Sequence, residues 1–300
     1  MSTKYAAIDI GTNSARLLVA RVESGRVVPE FFTLRTCRIG EGMTRAEGLQ
    51  PEPVARTLRV LREYRQLIRD YGVEKERVVA TSAVREAPNA AEFVSQAREE
   101  TGFNVEVISG EEEAFLNYLG VCRALPNLKS GVVVDIGGGS TEFTYLVSGS
   151  SGSRLCCRSV PIGAVRLTEK PLLLEGILAL LKDVLEEIKH LPQKNLVGVG
   201  GTITNLAAID QSLAFYDPEK VHGYRLSTDA VGRILFLLAA KNKEERKRVP
   251  GLQPERADII VAGTTILWAI LGYLQVPEIV VSEADILHGI IWELAEGASN

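Results

Sequence analysis

Short apolar runs with strand character alternate with longer stretches whose apolar residues recur at helical spacing along the whole chain. Residues 4–38 read as a three-strand meander, the third strand running from Val27 to Arg38. From Leu49 to Tyr71, the residues Val54, Leu58, Leu61, Tyr64 and Ile68 mark one face of a helix that Gly72 ends. A short strand at 78–81, a helix capped by Asn89 and running to Thr101, and a strand at 105–108 follow. Ser109-Gly110 then opens a helix through Leu125. After a linker at 126–131 comes a strand at 132–136, a glycine turn, and a return strand at 143–147. A further strand at 155–160 lies behind the Gly/Ser-rich turn 148–153. Helices are predicted at 172–191, from Gly201-Thr202 onward, at 254–273 and at 284–294, with strands at 196–200 and 278–282. The stretch 242–247 mixes charges and reads as a solvated helix end. Alternating strands and helices imply mixed sheets with helices packed on their faces.

Two of these segments share a pattern. Val132-Val133-Val134-Asp135-Ile136-Gly137-Gly138-Gly139-Ser140-Thr141-Glu142 is a buried strand running into a tight turn. Glycine permits positive φ and lets backbone N–H groups approach a ligand, so such a turn can form an anion nest. Asp135 and Glu142 flank it, placed to hold a hard cation beside that anion. An isolated match would equally be a glycine-rich turn with two solvated acids. The N-terminal stretch Ala6-Ala7-Ile8-Asp9-Ile10-Gly11-Thr12-Asn13-Ser14-Ala15-Arg16 repeats it, with Asp9 aligned to Asp135 and Arg16 opposite Glu142. Gly11, Thr12, Asn13 and Ser14 form one candidate phosphate loop; Gly137, Gly138, Gly139, Ser140 and Thr141 form the other. Asp9 joins Asp135 and Glu142 as a candidate metal ligand. A repeat so widely spaced implies two copies of one domain facing each other across a cleft.

These two loops resemble those of the actin, hexokinase and sugar-kinase superfamily. Within it, the chain resembles the exopolyphosphatase and guanosine pentaphosphate phosphohydrolase family. Ala80-Thr81-Ser82-Ala83-Val84-Arg85, Ser109-Gly110-Glu111-Glu112-Glu113-Ala114, Pro161 to Glu169, Gly198 to Thr202 and Glu255-Arg256-Ala257-Asp258 carry the match through nearly the whole chain. The resemblance implies an α/β fold of two ribonuclease-H-like, actin-like ATPase domains with mixed sheets flanked by helices and an active cleft between them. The first domain is 1–125 and the second 126–283, with the C-terminal helix 284–300 packing back on the first.

Composition narrows the partners. Among 300 residues the net charge is −4, and residues 1–123 carry 17 Lys and Arg against 18 Asp and Glu, so neither half is basic. No broad field attracts nucleic acid. No apolar run reaches membrane-spanning length and no secretory segment opens the chain, which makes the cytoplasm the default location. Cys37, Cys122, Cys156 and Cys157 lack metal-binding spacing and read as reduced. The three histidines are scattered, which argues against a zinc site and against the His-Asp metal domain of longer family members.

Phosphoryl transfer to water needs charge neutralisation, an in-line nucleophile and a base. In Glu111-Glu112-Glu113, acids at a helix N-terminus are ordinary dipole partners; the family register makes Glu113 the base. Arg16 and Arg85 become phosphate clamps, because a planar guanidinium binds phosphate oxygens bidentately. Arg166, Gly200, Gly201, Thr202 and Arg256 are implied second-domain substrate contacts. Neither glycine cluster completes a dinucleotide or P-loop fingerprint. The activity implied is exopolyphosphatase: release of terminal phosphate from inorganic polyphosphate with Mg²⁺ or Mn²⁺, and K⁺ as a further ion. Guanosine pentaphosphate hydrolysis and a catalytically weak polyphosphate or nucleotide sensor are the alternatives. Short family members imply a homodimer. One departure stands out: Leu287 occupies the position of a family arginine, which predicts a missing electrostatic contact in the second domain.

Overall fold

The computed structural model describes residues 3–44, 46–125, 131–149, 152–191 and 195–297. The chain divides into two units, Met1–Ala124 with Ile286–Asn300, and Leu125–Asp285.

In the first unit, β1 (Lys4–Ile10), β2 (Ala15–Glu23) and β3 (Arg26–Arg35) form an antiparallel meander. Ser24 and Gly25 both take positive φ between β2 and β3, the geometry a two-residue hairpin needs to match strand twist. Pro29 sits on the outer strand β3, beside the register shift at Val19/Ala20, where a missing N–H costs least. Helix α1 (Pro51–Asp70) leads to β4 (Lys75–Ala80), which runs parallel to β1, and then come α2 (Ser82–Glu86) and α3 (Ala90–Thr101). Strand β5 (Val105–Val107) and α4 (Gly110–Ala124) complete this stretch, and the sheet order is β3-β2-β1-β4-β5.

Alternation along β1 sorts the two faces. Ala6, Ile8 and Ile10 pack with Leu58, Leu61 and Tyr64 of α1 and Phe93 of α3. Tyr5 and Ala7 pack on the other face with Leu116 of α4 and with Leu287, Ile290 and Ile291 of the C-terminal helix Ile286–Glu296. Leu287 is therefore a core residue of the first unit, 2% exposed, and its expected consequence for the second domain is corrected. An arginine there would bury a charge in an apolar cluster.

The second unit repeats the plan. Strands β6 (Val132–Ile136), β7 (Thr141–Gly149) and β8 (Gly152–Val160) make a meander, followed by α5 (Ala164–Glu169) and α6 (Leu174–Lys189). Strand β9 (Leu196–Val199) runs parallel to β6, then α7 (Gly200–Asp210), α8 (Pro218–Val221), β10 (Arg225–Ser227), α9 (Thr228–Ala239) and α10 (Lys243–Arg246) follow. Helix α11 (Ile260–Leu274), β11 (Glu278–Val281) and the C-terminal helix, α12, close the chain. The order β8-β7-β6-β9-β11 matches that of the first sheet, with β10 added antiparallel at the edge.

Some local expectations change. Asn89 occupies the N-cap position of α3, but its amide bonds the backbone of Leu49 in both directions instead. The predicted helix 254–273 is a 3-10 turn, Pro254–Arg256, followed by α11, because Pro254 opens a turn that does not continue. Most of the expected linker (126–130) and the tip of the expected turn (150 and 151) lie outside the described residues. Among the described residues, no helix is long and apolar enough to cross a membrane. All four cysteines are free thiols.

Candidate active site

Each unit closes its first hairpin in the same way. Gly11 N–H donates to Ser14 O at 3.0 Å, and Gly137 N–H donates to Ser140 O at 3.0 Å. Across the strands, Asp9 faces Arg16 and Asp135 faces Glu142 at equivalent register positions.

In the first unit the loop 11–14 is braced by Arg38 N–H on Asn13 O (2.8 Å) and Gly40 N–H on Thr12 O (3.1 Å). Thr12, Asn13 and Ser14 are all buried, and the Thr12 hydroxyl has no hydrogen-bond partner. A buried hydroxyl in that condition suits an incoming anion. Arg16 turns inward: its Nε and Nη2 both donate to Asp9 Oδ2, at 3.0 and 2.7 Å. Asp9 is thereby charge-compensated within its own unit.

Arg85, at the end of β4–α2, donates through Nη1 to Glu113 Oε2 at 2.8 Å and to Ile108 O at 3.2 Å. Glu113 is 8% exposed on the inner face of α4. Its neighbour Glu112 points elsewhere, to Arg77 Nη2 at 2.6 Å. One turn beyond Glu113 on the same face lies Asn117, also buried. The i+4 spacing from Glu113 was the only sequence signal for it.

In the second unit, N–H groups of Ala164, Val165 and Arg166 bond the carbonyls of Gly137 and Gly138, and Arg166 Nε donates to Gly139 O at 2.8 Å. Arg166 thus braces the glycine loop from behind. Thr141 donates to Ile162 O, and Ser159 donates to Glu142 Oε1 at 2.8 Å, a partner the sequence reading missed. Gly200 takes φ +83, and a Cβ there would sit 2.4 Å from Asp135 Oδ1, so the carboxylate rests against the glycine turn. Arg256 lies over Gly201, where a Cβ would come within 1.9 Å of its Nη2. Gln253 holds Arg256 Nε at 3.2 Å and is itself fixed by Asn205. Thr202 is buried in the first turn of α7.

The donor set bears on the expected metal. Among the described residues, no group of three or more His, Cys, Asp or Glu is gathered to hold an ion. Asp135 and Glu142, opposite each other on adjacent strands, nevertheless fit Mg²⁺, which commonly takes one or two carboxylates and completes its shell with water and phosphate. Asp9, engaged by Arg16, fits that role less well.

The profile of the Ppx/GppA phosphatase family matches residues 18–297. The chain belongs to this family. A curated relative is the "Exopolyphosphatase 2" of Mycobacterium tuberculosis, 34% identical over 98% of this chain and 99% of that protein. Another, the "Bifunctional 3-dehydroquinate synthase/phosphatase" of Fusobacterium nucleatum, is 36% identical over 97% of this chain, which spans only 46% of that longer protein. The Aquifex aeolicus Ppx/GppA structure superposes with TM-score 0.81 at 32% identity, covering 99% of each chain. An exopolyphosphatase structure from Cytophaga hutchinsonii gives TM-score 0.87 at 25% identity over 98% of each. As a Ppx/GppA phosphatase the chain is a hydrolase acting on phosphoanhydride bonds, with actin-type, ribonuclease-H-like units.

Proposed function

We propose that this Ppx/GppA phosphatase is an exopolyphosphatase that hydrolyses the terminal phosphate of inorganic polyphosphate. Glu113 acts as general base on the attacking water. An ionised carboxylate carries about four lone-pair sites, so Glu113 can accept from a water as well as from Arg85. Arg85 fixes the orientation of the carboxylate and presents cationic charge to the reacting phosphate. The Gly11–Ser14 and Gly137–Thr141 loops supply backbone N–H groups and hydroxyls to the phosphate chain. Asp135 and Glu142 would hold Mg²⁺, which supplies charge neutralisation on the leaving phosphates.

The observation that carries the substrate choice is Arg256 over Gly201. A nucleoside lying against that turn would have to displace the guanidinium and break its bond to Gln253. A polyphosphate chain gains a cation there. Ile203, Leu206 and Ile209, the apolar residues that follow the turn, are buried in the core of the unit and offer no face to a base.

Phosphate release from short-chain polyphosphate and from guanosine pentaphosphate, each at low and high salt, tests this reading. Polyphosphate should give the higher kcat/KM, and its advantage should shrink with salt as ions screen partly exposed arginines. Equal or better nucleotide hydrolysis at low salt would make the protein a guanosine pentaphosphate phosphohydrolase. Binding of polyphosphate without release of phosphate would make it a sensor.

A further inference from the structure

Arg77 lies on β4 with its side chain 15% exposed, and it gathers acids from three other elements. Nε and Nη2 bond Glu106 of β5 at 3.0 and 2.8 Å, Nη2 bonds Glu112 in the first turn of α4 at 2.6 Å, and Nη1 bonds Glu293 of α12 at 2.5 Å. Eight residues further along the same β4–α2 segment, Arg85 takes Glu113. One segment therefore offers two arginines to two adjacent glutamates.

We propose that Arg77 is a positioning residue for Glu113, acting through Glu112; the inference rests on Glu113 being the base. Neighbouring helix residues point about 100° apart. Clamping Glu112 outward thus sets the rotation of the first turn of α4 and aims Glu113 at the buried side. That turn needs fixing, because the first N–H groups of a helix have no partner within it and its end frays. Ser109 caps it with its hydroxyl on Glu112 N–H and its carbonyl on Glu113 N–H, both at 3.0 Å, and Arg77 adds the side-chain anchor. Stability alone accounts poorly for the cluster. Glu106, Glu112 and Glu293 keep side-chain exposures of 45%, 41% and 37%, and ion pairs so open to water stabilise little. Three carboxylates around one guanidinium also leave excess negative charge. Fixing a register is the service such a network performs well.

The test is steady-state kinetics on Arg77→Met, Arg77→Lys, Glu112→Gln and the double variant Arg77→Met/Glu112→Gln. Misaiming the base should lower kcat roughly 10–100-fold for Arg77→Met while KM stays within about twofold. The double variant should be no worse than Arg77→Met alone, because both act through one link. In a Glu113→Gln background, Arg77→Met should change kcat no further. Arg65→Met is the control for structural loss: Arg65 pairs with Glu76 at 2.8 Å and shares no acid with α4. It should lower Tm without lowering kcat below its melting range. If Arg77→Met does not fold, Arg77→Lys and Glu112→Gln carry the same comparison with smaller losses. Unchanged kcat in the folded Arg77 variants, or losses matched by Arg65→Met, overturns the proposal. Full activity in Glu113→Gln would instead overturn the base assignment beneath it.

Discussion

The guanidinium of Arg85 and the carboxylate of Glu113 lie 2.8 Å apart, with side-chain exposures of 22% and 11%. Charge-assisted bonds of this kind are short and strong when shielded from water. This one joins α2 to α4 and separates Glu113 from Glu112, whose carboxylate belongs to Arg77. The two adjacent glutamates therefore have different environments, one enclosed and one facing an exposed ion cluster.

That difference predicts their roles. Glu113→Gln should lower kcat by roughly 10²–10⁴-fold, the contribution typical of general base catalysis, with polyphosphate still bound. Glu112→Gln should cost far less, since it only loosens the turn. Rate measurements with both variants decide the matter, and a reversed order would move the base by one residue.

Asp135→Asn should raise the Mg²⁺ concentration needed for half-maximal activity. Loss of a direct carboxylate should weaken the site by at least the roughly tenfold that loss of an outer partner costs. Far-UV circular dichroism and Tm should remain near those of the wild type, because Asp135 stands at a strand end and is half-buried. An unchanged Mg²⁺ titration removes Asp135 from the metal site.

Gly289 of α12 lies directly against the backbone of α4: a Cβ there would lie 2.0 Å from the Leu116 carbonyl oxygen. Backbone cannot rotate aside, so Gly289→Ala must separate the helices. The expected cost is about 1–3 kcal/mol, as for overpacked cores. Calorimetry should show the first unit melting several degrees lower, and an unchanged transition would contradict this packing.

Burial pushes the Glu293 carboxyl above its ordinary range, Glu112 and Glu106 push it the same way, and Arg77 offsets them only in part. The folded chain thus holds this proton more tightly than the unfolded chain. The associated stability is present below the ordinary carboxylate range and is lost as pH rises through the raised value. Glu293→Gln, which does not titrate, should gain in Tm relative to wild type as pH rises upward from the ordinary carboxylate range. A pH-independent difference between the two would refute the sign.

Much of the architecture was legible because it depends on local chemistry. Strand runs, glycine turns and the Asp9/Asp135 alignment need only neighbours along the chain, and the two sheets do share one strand order. Residues that must be chosen by distant partners were not legible in the same way. Arg77 was not singled out at all, although it joins Glu106, Glu112 and Glu293 from three other elements. Asn89 read as a helix cap, yet its amide serves Leu49, 40 positions away.

By itself the sequence determined the repeated hairpins, the alternation of strands and helices, and which acids and arginines were available. Only the tertiary structure decided how those charges were paired. Arg85 went to Glu113, Arg77 to Glu112 and Glu293, Arg166 to the Gly139 carbonyl, and Arg256 to the face of Gly201. It also placed Leu287 in the first unit's core, packed near Tyr5 and Leu18. The physical reason is reach. Backbone propensity acts over a few residues, whereas a guanidinium on a flexible stem takes whichever carboxylate or carbonyl the packed elements bring to it.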